Sequence, residues 1–402
     1  MVLNETIEKK IIPIAGGKGG VGKSILSVNI ALSLAISDKK TILIDMDLGG
    51  ANLHTILGIK NTNPGIGTYL QDRRKTFRSL VIDTPYKNLK FIPGDTLSYG
   101  MADITEAQKK DIMKEIQELD ADYIIMDLGA GSSFNTIDFF LISNSGLIVT
   151  TPHASSILNA YSFTKNLTIR FLHKAFCKNK KMDNYLKKNI RRMLPGINLT
   201  LAHLLEEIGR EEPHTMEKAF AFLEVLQPKM ILNMVEEEED FQMADNLGQL
   251  IAKDLLVNMD CMGTVLYDRD INESVHKRTP FLIEHQDSLT AQQIFRIGQK
   301  IVQSKHFPDL PLDLNEYSNS YELAQIETEN DFRIFKQMKN EIEQGNQPEY
   351  DIDQLMEIIE KQQKTIHELQ GTVRMMGLGN QANQSGHNEN PLGGLGGLFN
   401  IG

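Results

Sequence analysis

Cysteine is nearly absent: 402 residues carry two, Cys177 and Cys261, far apart and in no C-x-x-C. That excludes a disulfide framework and a cysteine-ligated iron–sulfur cluster, and makes a reducing cytoplasm the expected compartment. Long apolar runs are lacking as well. No stretch of 18 apolar residues occurs, so no membrane-spanning helix is expected. Residues 1–10, MVLNETIEKK, are too polar to read as a signal peptide. Nor is there an excess of positive charge. The formal net charge of −11 argues against wholesale coating of nucleic acid, while leaving room for a local basic patch. What remains is ordinary: 41% hydrophobic and 24% charged residues, in a chain long enough for one large α/β domain with appendages.

Against that background one stretch stands out. Residues 11–24 read IIPIAGGKGGVGKS, and VGKSILSVNIALSLAI continues from Val21. The apolar start reads as a buried strand and the continuation as a helix, with G-x-x-x-x-G-K-S from Gly17 to Ser24 between them. Glycines let the backbone curl so that the N–H groups of Gly17, Gly19, Gly20, Val21 and Gly22 can face an anion. The helix start, with Ser24 and Ile25, adds partial positive charge. Lys23 would reach the β- and γ-phosphates, and the Ser24 hydroxyl would ligate Mg²⁺.

Two further apolar runs end in carboxylates. KTILIDMD (40–47) closes on Asp45 and Asp47, and ADYIIMDLGAG (121–131) delivers Asp127. In a parallel α/β sheet such positions lie at the carboxyl edge, where ligands bind. Asp127 reads as the Mg²⁺ carboxylate of a Walker B strand, with Asp45 as a second metal candidate. A carboxylate in this place can also orient water for in-line attack on a γ-phosphate.

The glycine loop carries an extra lysine, Lys18, giving K-G-G-V-G-K-S. With it the chain resembles the MinD/ParA family of P-loop ATPases with a deviant Walker A, and the flagellar-number (FlhG/YlxH) branch in particular through D-x-D-L-G-x-A-N-x-x-x-x-L-G from Asp45. The resemblance covers residues 10–173 and 228–304. It implies that Lys18 crosses a dimer interface to the partner's nucleotide, that Asp47 positions the attacking water, and that Asn52 is a switch I residue. It further implies that Gly129 and Gly131 belong to switch II, and that Asn233 hydrogen-bonds the adenine edge. Two positions depart from the family's pattern: Met234 stands where Lys or Arg is usual, and residues 152–156 read PHASS instead of PEPTS.

The rest of the chain sets expectations of organisation. Residues 64–72 read as a helix, and the stretch ending FIPGD (91–95) as an antiparallel or edge strand. Residues 105–119 read as an amphipathic surface helix with Lys109, Lys110 and Lys114 solvated. Strands are expected at 146–151, 228–235 and 261–267, and amphipathic helices at 241–257 and 286–303. Residues 174–228 read as a helical insertion broken at Pro213, with eight Lys/Arg against one Asp over 174–192. That basic run suits anionic lipid or DNA phosphates; equally it suits a solvated helix face, or the acidic run at 236–240. A linker and polar helix are expected over 307–350. An a/d pattern predicts a short coiled coil over 351–377, and composition predicts disorder over 378–402.

The expected architecture is therefore a doubly wound, mostly parallel α/β sheet of the P-loop NTPase (SIMIBI) type in residues 1–306, with a helical insertion and a helical C-terminal extension. The expected function is a Mg²⁺-dependent ATPase that dimerises on ATP, hydrolyses slowly and acts as a spatial switch. A non-hydrolysing scaffold and a DNA-partition ATPase are the alternatives. The partners implied are a second copy and an activating or cargo protein, flagellar or septal. A membrane surface is also allowed, with DNA ranked below it. The place implied is the cytoplasm or the inner face of the cell membrane.

Overall fold

The computed structural model describes residues 9–47, 50–60, 63–72, 74–95, 104–144, 146–176, 179–190, 200–303 and 317–343. The coiled-coil and tail segments expected beyond residue 350 lie outside them. The chain divides into two units, Met1–Phe335 and Lys336–Gly402, and of the second only residues 336–343 are described.

Short runs of β-branched and aliphatic residues form the strands β1 (Lys10–Ala15), β2 (Thr41–Met46), β3 (Ile82–Asp83), β4 (Leu89–Ile92), β5 (Tyr123–Leu128), β6 (Leu147–Thr150), β7 (Lys229–Val235) and β8 (Asp260–Leu266). Among the described residues they make one sheet in the order β3-β4-β2-β5-β1-β6-β7-β8. Every pairing is parallel except β3 with β4. The strand expected at 91–95 thus differs from its reading: β4 pairs parallel with β2, and the antiparallel edge is the two-residue β3 outside it.

Parallel sheets need both faces covered, and successive side chains supply the two faces in turn. Ile124, Met126 and Leu128 of β5 enter one core, while Tyr123 and Ile125 enter the other. The second core is closed by α1 (Lys23–Ile36) and α13 (Leu289–Gln303). The first is closed by α4 (Glu106–Glu118), α5 (Phe134–Phe140), α6 (Ala154–Ala175) and α10 (Phe241–Leu255). Short helices α2 (Leu53–Ile56), α3 (Ile66–Gln71), α11 (Asp270–Lys277) and α12 (Phe281–Glu284) complete the loops.

Beyond α6 the insertion folds as α7 (Lys180–Ile190), α8 (Leu201–Glu211) and α9 (Pro213–Val225). Leu201, Leu204, Leu205 and Ile208, spaced as one helical stripe, are buried, and Phe176 meets Phe222 edge-to-face at 5.5 Å. Pro213 opens α9 rather than interrupting a helix, because its missing N–H falls where no intrahelical bond is needed.

Helix α14 (Tyr317–Glu343) is the polar helix expected within 307–350, and it packs on the core instead of standing beyond it. Its first half is part of the first unit. Tyr321 donates to the Met259 carbonyl, and Thr328 bonds Thr264 at 2.8 Å. Asp331 and Glu327 pair with Arg296 and Lys300 of α13 at 3.0 and 2.8 Å. A Cβ on Gly248 of α10 would collide with the Tyr321 hydroxyl. Meeting α10 through Tyr321 and α13 through Glu327 and Asp331, α14 runs along β8, with Ser320 bonding Asp260 and Thr328 bonding Thr264; all seven residues of β8 are buried.

Candidate phosphate-binding site

The site grows from the carboxyl ends of β1, β2 and β5, which the register sets side by side: Ile14 pairs with Asp127, and Asp127 with Asp45. After β1 the chain enters the glycine loop. Gly20 and Gly22 hold φ of 83° and 82°, a region that costs glycine little and other residues much. A Cβ at Gly19 or Gly20 would meet nothing within 4 Å, so the inner wall of the loop opens to space that a ligand can fill. Gly22 is tighter, since a Cβ there would collide with the Asn233 amide. Helix α1 starts at Lys23 with no side-chain cap, leaving its first N–H groups for an anion.

Asp127, buried at the end of β5, gathers the loop's side chains. Lys23 Nζ donates to its Oδ1 at 2.9 Å, Ser24 Oγ to Oδ2 at 2.7 Å, and Ser27 Oγ to Oδ1 at 2.8 Å. Ser27 was not singled out from sequence; its position one turn beyond Lys23 and Ser24, on the sheet-facing side of α1, was the available signal. Among the described residues no cluster of three or more His, Cys, Asp or Glu could hold a metal alone. A hydroxyl and a carboxylate converging at 2.7 Å beside a phosphate loop nevertheless fit Mg²⁺, a hard ion that draws the rest of its shell from nucleotide and water.

Asp45 lies one strand away and is only 1% exposed. Its oxygens accept the N–H groups of Asp47 and Leu53, both at 3.2 Å, stapling the two ends of the loop that carries Asp47 and Asn52. Burial, and then the charge of Asp127, push its carboxyl up to about 7. Asp47 is half-buried and close to the second glycine turn, its carboxylate lying 3.5 Å from where a Gly129 Cβ would stand. Gly131, at φ 85°, donates its N–H to the Gly16 carbonyl at 3.0 Å, tying that turn to the glycine loop. Asn52 is exposed and caps α2 without a side-chain bond.

Asn233 approaches the loop from outside, whereas Lys18 belongs to the loop and stands at its exposed rim. Asn233, 4% exposed, donates to the Val21 carbonyl at 2.9 Å. A bulge follows it: Met234 has φ 58°, and the β7–β8 register shifts between Asn233 and Val235. Lys18 is exposed and its Nζ meets Ser155 Oγ at 3.2 Å. Ser155 lies in the first turn of α6, after the exposed N-cap His153.

A second polar centre lies behind the Gly129–Gly131 turn and corrects the sequence reading. Lys110 and Lys114 are exposed as expected, but Lys109 is 3% exposed. It pairs with buried Asp138 of α5, which also takes Arg170 at 2.8 Å and Lys174 at 2.8 Å, both from α6. Burial would raise the Asp138 carboxyl, but hydrogen bonds from Arg170, Lys109 and Lys174 outweigh it and hold the group well below the usual carboxylate range.

A mainly parallel sheet with a glycine loop between its first strand and first helix defines a P-loop nucleotide-binding fold. A family profile described as an AAA domain (AAA_31) matches residues 9–183. The flagellum site-determining protein YlxH of Helicobacter pylori is 37% identical over 158 residues, which are 39% of this chain and 53% of that protein. The septum site-determining protein MinD of the same organism is 32% identical over 148 residues, 37% of this chain and 54% of that protein. The chain thus spans about half the length of these curated relatives. MinD from Pyrococcus horikoshii, solved with Mg-ADP, shares the fold at 18% identity and a TM-score of 0.50, over 74% of this chain and 97% of that one. Over its first half the chain is thus similar to MinD/ParA-type proteins, with a protein of the YlxH branch among these relatives, and its fold is that of the P-loop nucleotide-binding proteins.

Proposed function

We propose that this chain binds Mg·ATP, pairs with a second copy across the nucleotide face and hydrolyses slowly, so that the lifetime of the pair times the placement of a cellular structure such as a flagellum or a septum. The observation that carries this reading is the convergence of Lys23 and Ser24 on Asp127 at the mouth of the glycine loop.

In this reading the backbone of Gly17 to Ser24 and the start of α1 cradle the phosphates, and Lys23 turns from Asp127 to the β- and γ-phosphates. Ser24 and Asp127 would hold Mg²⁺, with Asp45 behind them, and the ion would supply positive charge against the negative charge building on the phosphates. Asp47 orients the water whose oxygen bonds to the γ-phosphorus as the bridge to ADP breaks. Asn233 stands beside Val21 with an amide that offers donor and acceptor to adenine. Lys18 is the deviant Walker A lysine: at the exposed rim, bonded only weakly to Ser155 at 3.2 Å, it can swing to a facing subunit. Leu158, 65% exposed and next to Asn159 at the glycine loop, supports a paired face, as does Phe134, 72% exposed with Arg170 over its ring, because large apolar side chains are otherwise left in water.

Sedimentation and ATP turnover on the full chain test the reading. Asp47→Ala is expected to hydrolyse at least about 100-fold more slowly and to accumulate as an ATP-bound dimer. Lys18→Ala is expected to bind ATP yet remain monomeric. A chain that stays monomeric with saturating ATP and Asp47→Ala removes the switch. ATP binding without turnover would leave the scaffold reading, and stimulation by DNA but not by anionic vesicles would favour partition.

A further inference from the structure

We infer that Asp138 is a positioning residue, held by Lys109, Arg170 and Lys174, through which the helical insertion α7–α9 sets the geometry of the 129–133 turn. The inference rests on the ATPase reading for its catalytic consequence, and on the contacts alone for its mechanical one.

Helix α5 inherits any movement of the turn. It begins at Ser133, whose hydroxyl accepts the Thr136 N–H at 3.1 Å, two residues after the Gly131 N–H that bonds Gly16. Seven residues long, α5 carries one fully buried carboxylate, Asp138, and that carboxylate fixes it to two other helices. Lys109 reaches it from α4; Arg170 reaches it from α6 with two nitrogens, at 2.8 and 2.9 Å. Lys174 reaches it from the last turn of α6, at 2.8 Å. Glu106 joins Lys109 and Arg170 from the solvent side. Three cations against two carboxylates leave one positive charge, so Asp138 stays ionised and its direction is fixed. A forked guanidinium holds a carboxylate in one orientation, which an apolar contact would not do.

Helix α6 connects this anchor to everything else at the site. Its first turn meets Lys18 through Ser155, and its Asn159 carbonyl faces Gly17 so closely that a Cβ there would collide. In its middle, Asn166 donates to Ser132 Oγ at 3.2 Å. Its last turn holds Lys174, beside His173, whose Nε2 lies 2.9 Å from Asp183 of α7. Phe176, next after the helix, packs on Phe222 of α9. A rigid helix of 22 residues, about 33 Å long, therefore touches the glycine loop, the switch turn, the α5 anchor and the insertion in sequence. Force applied to α7–α9 meets α6 where Lys174 holds Asp138.

The test uses the purified full chain with Lys174→Met, and Lys110→Met as the exposed control with the same charge change. Lys174 is 42% exposed and methionine keeps its stem, so folding survives. Lys174→Met is expected to lower kcat about five-fold or more with KM for ATP changed by less than about two-fold, since small displacements of reacting groups cost rate before binding. Amide exchange over residues 129–140 is expected to quicken, and Lys174→Arg to restore both. Phe222→Ala, which loosens the insertion without touching Asp138, is expected to quicken the same amides. Wild-type kcat and wild-type exchange in Lys174→Met would overturn the positioning role, and unchanged exchange in Phe222→Ala would overturn the link to the insertion. Should the wild-type chain not hydrolyse ATP, the ATPase reading fails while the exchange arms still decide this one.

Discussion

At the scale of single residues, Asp138 shows how one buried charge can be read for its pH dependence. The groups facing it are Lys109 and Glu106 of α4 and Arg170 and Lys174 of α6. With its folded-state pKa depressed below the unfolded value of about 3.9, the pairing stabilises the fold fully above that value and the contribution drains away as pH falls below it. Asp138→Asn is therefore expected to lower stability by about 3 kcal/mol at pH 7. In urea melts its deficit relative to wild type should shrink between about pH 4 and pH 3. An equal deficit at both ends would show that charge is not what the site contributes. In the sequence Lys109 reads as solvated, although it is buried and its spacing speaks for burial. Lys109 stands three and seven residues before Ile112 and Ile116, so it lies on the buried stripe of its helix. Its partner belongs to another helix, and nothing along the chain announces that meeting. The loop residues are easier, because Gly20, Gly22, Lys23 and Ser24 lie within five successive positions and each answers a local demand of backbone or charge.

At the scale of elements, strands were plain and their neighbours were not. Apolar runs such as YIIMDL mark a strand by themselves, whereas β4 reads as an edge only because Pro93 and Gly94 follow it; its place beside β2 depends on long-range pairing. Helix α14 was read as polar and separate because it docks through Ser320, Thr328 and Asp331 as much as through Ala324 and Phe332. Polar groups that are buried and paired look, in sequence, like polar groups in water. Asp331 makes the docking specific: it accepts from Arg296 at 3.0 and 3.2 Å and from Gln293 at 2.8 Å. Gln293 in turn accepts the Leu266 N–H at 2.9 Å. Asp331→Ala leaves a largely buried guanidinium without its main partner, and is expected to cost about 3 kcal/mol, read as a lower urea midpoint. A loss below about 0.5 kcal/mol would mean that α14 is held by its apolar contacts alone.

At the scale of the whole molecule, the arrangement puts every candidate nucleotide residue on one rim. Leu158 stands beside that rim, it and Phe134 are exposed to water, and among the described residues no helix is long and apolar enough to cross a membrane. If the rim is where two copies meet, turnover per chain should rise with protein concentration. Leu158→Ser should move that rise to higher concentration, by about five-fold or more, without changing the melting temperature. Turnover proportional to concentration throughout, in both proteins, would assign the exposed side chains to some other partner.

Sheets commonly recruit other chains by letting a foreign strand zip onto an open margin, and among the described residues this sheet offers little of one. The long margin at β8 is flanked by α14, and the opposite margin ends in the two-residue stub of β3. Among the described residues, what is left to a partner is side chains and loop ends, contacts that a ligand can make or release, rather than a ladder of main-chain bonds.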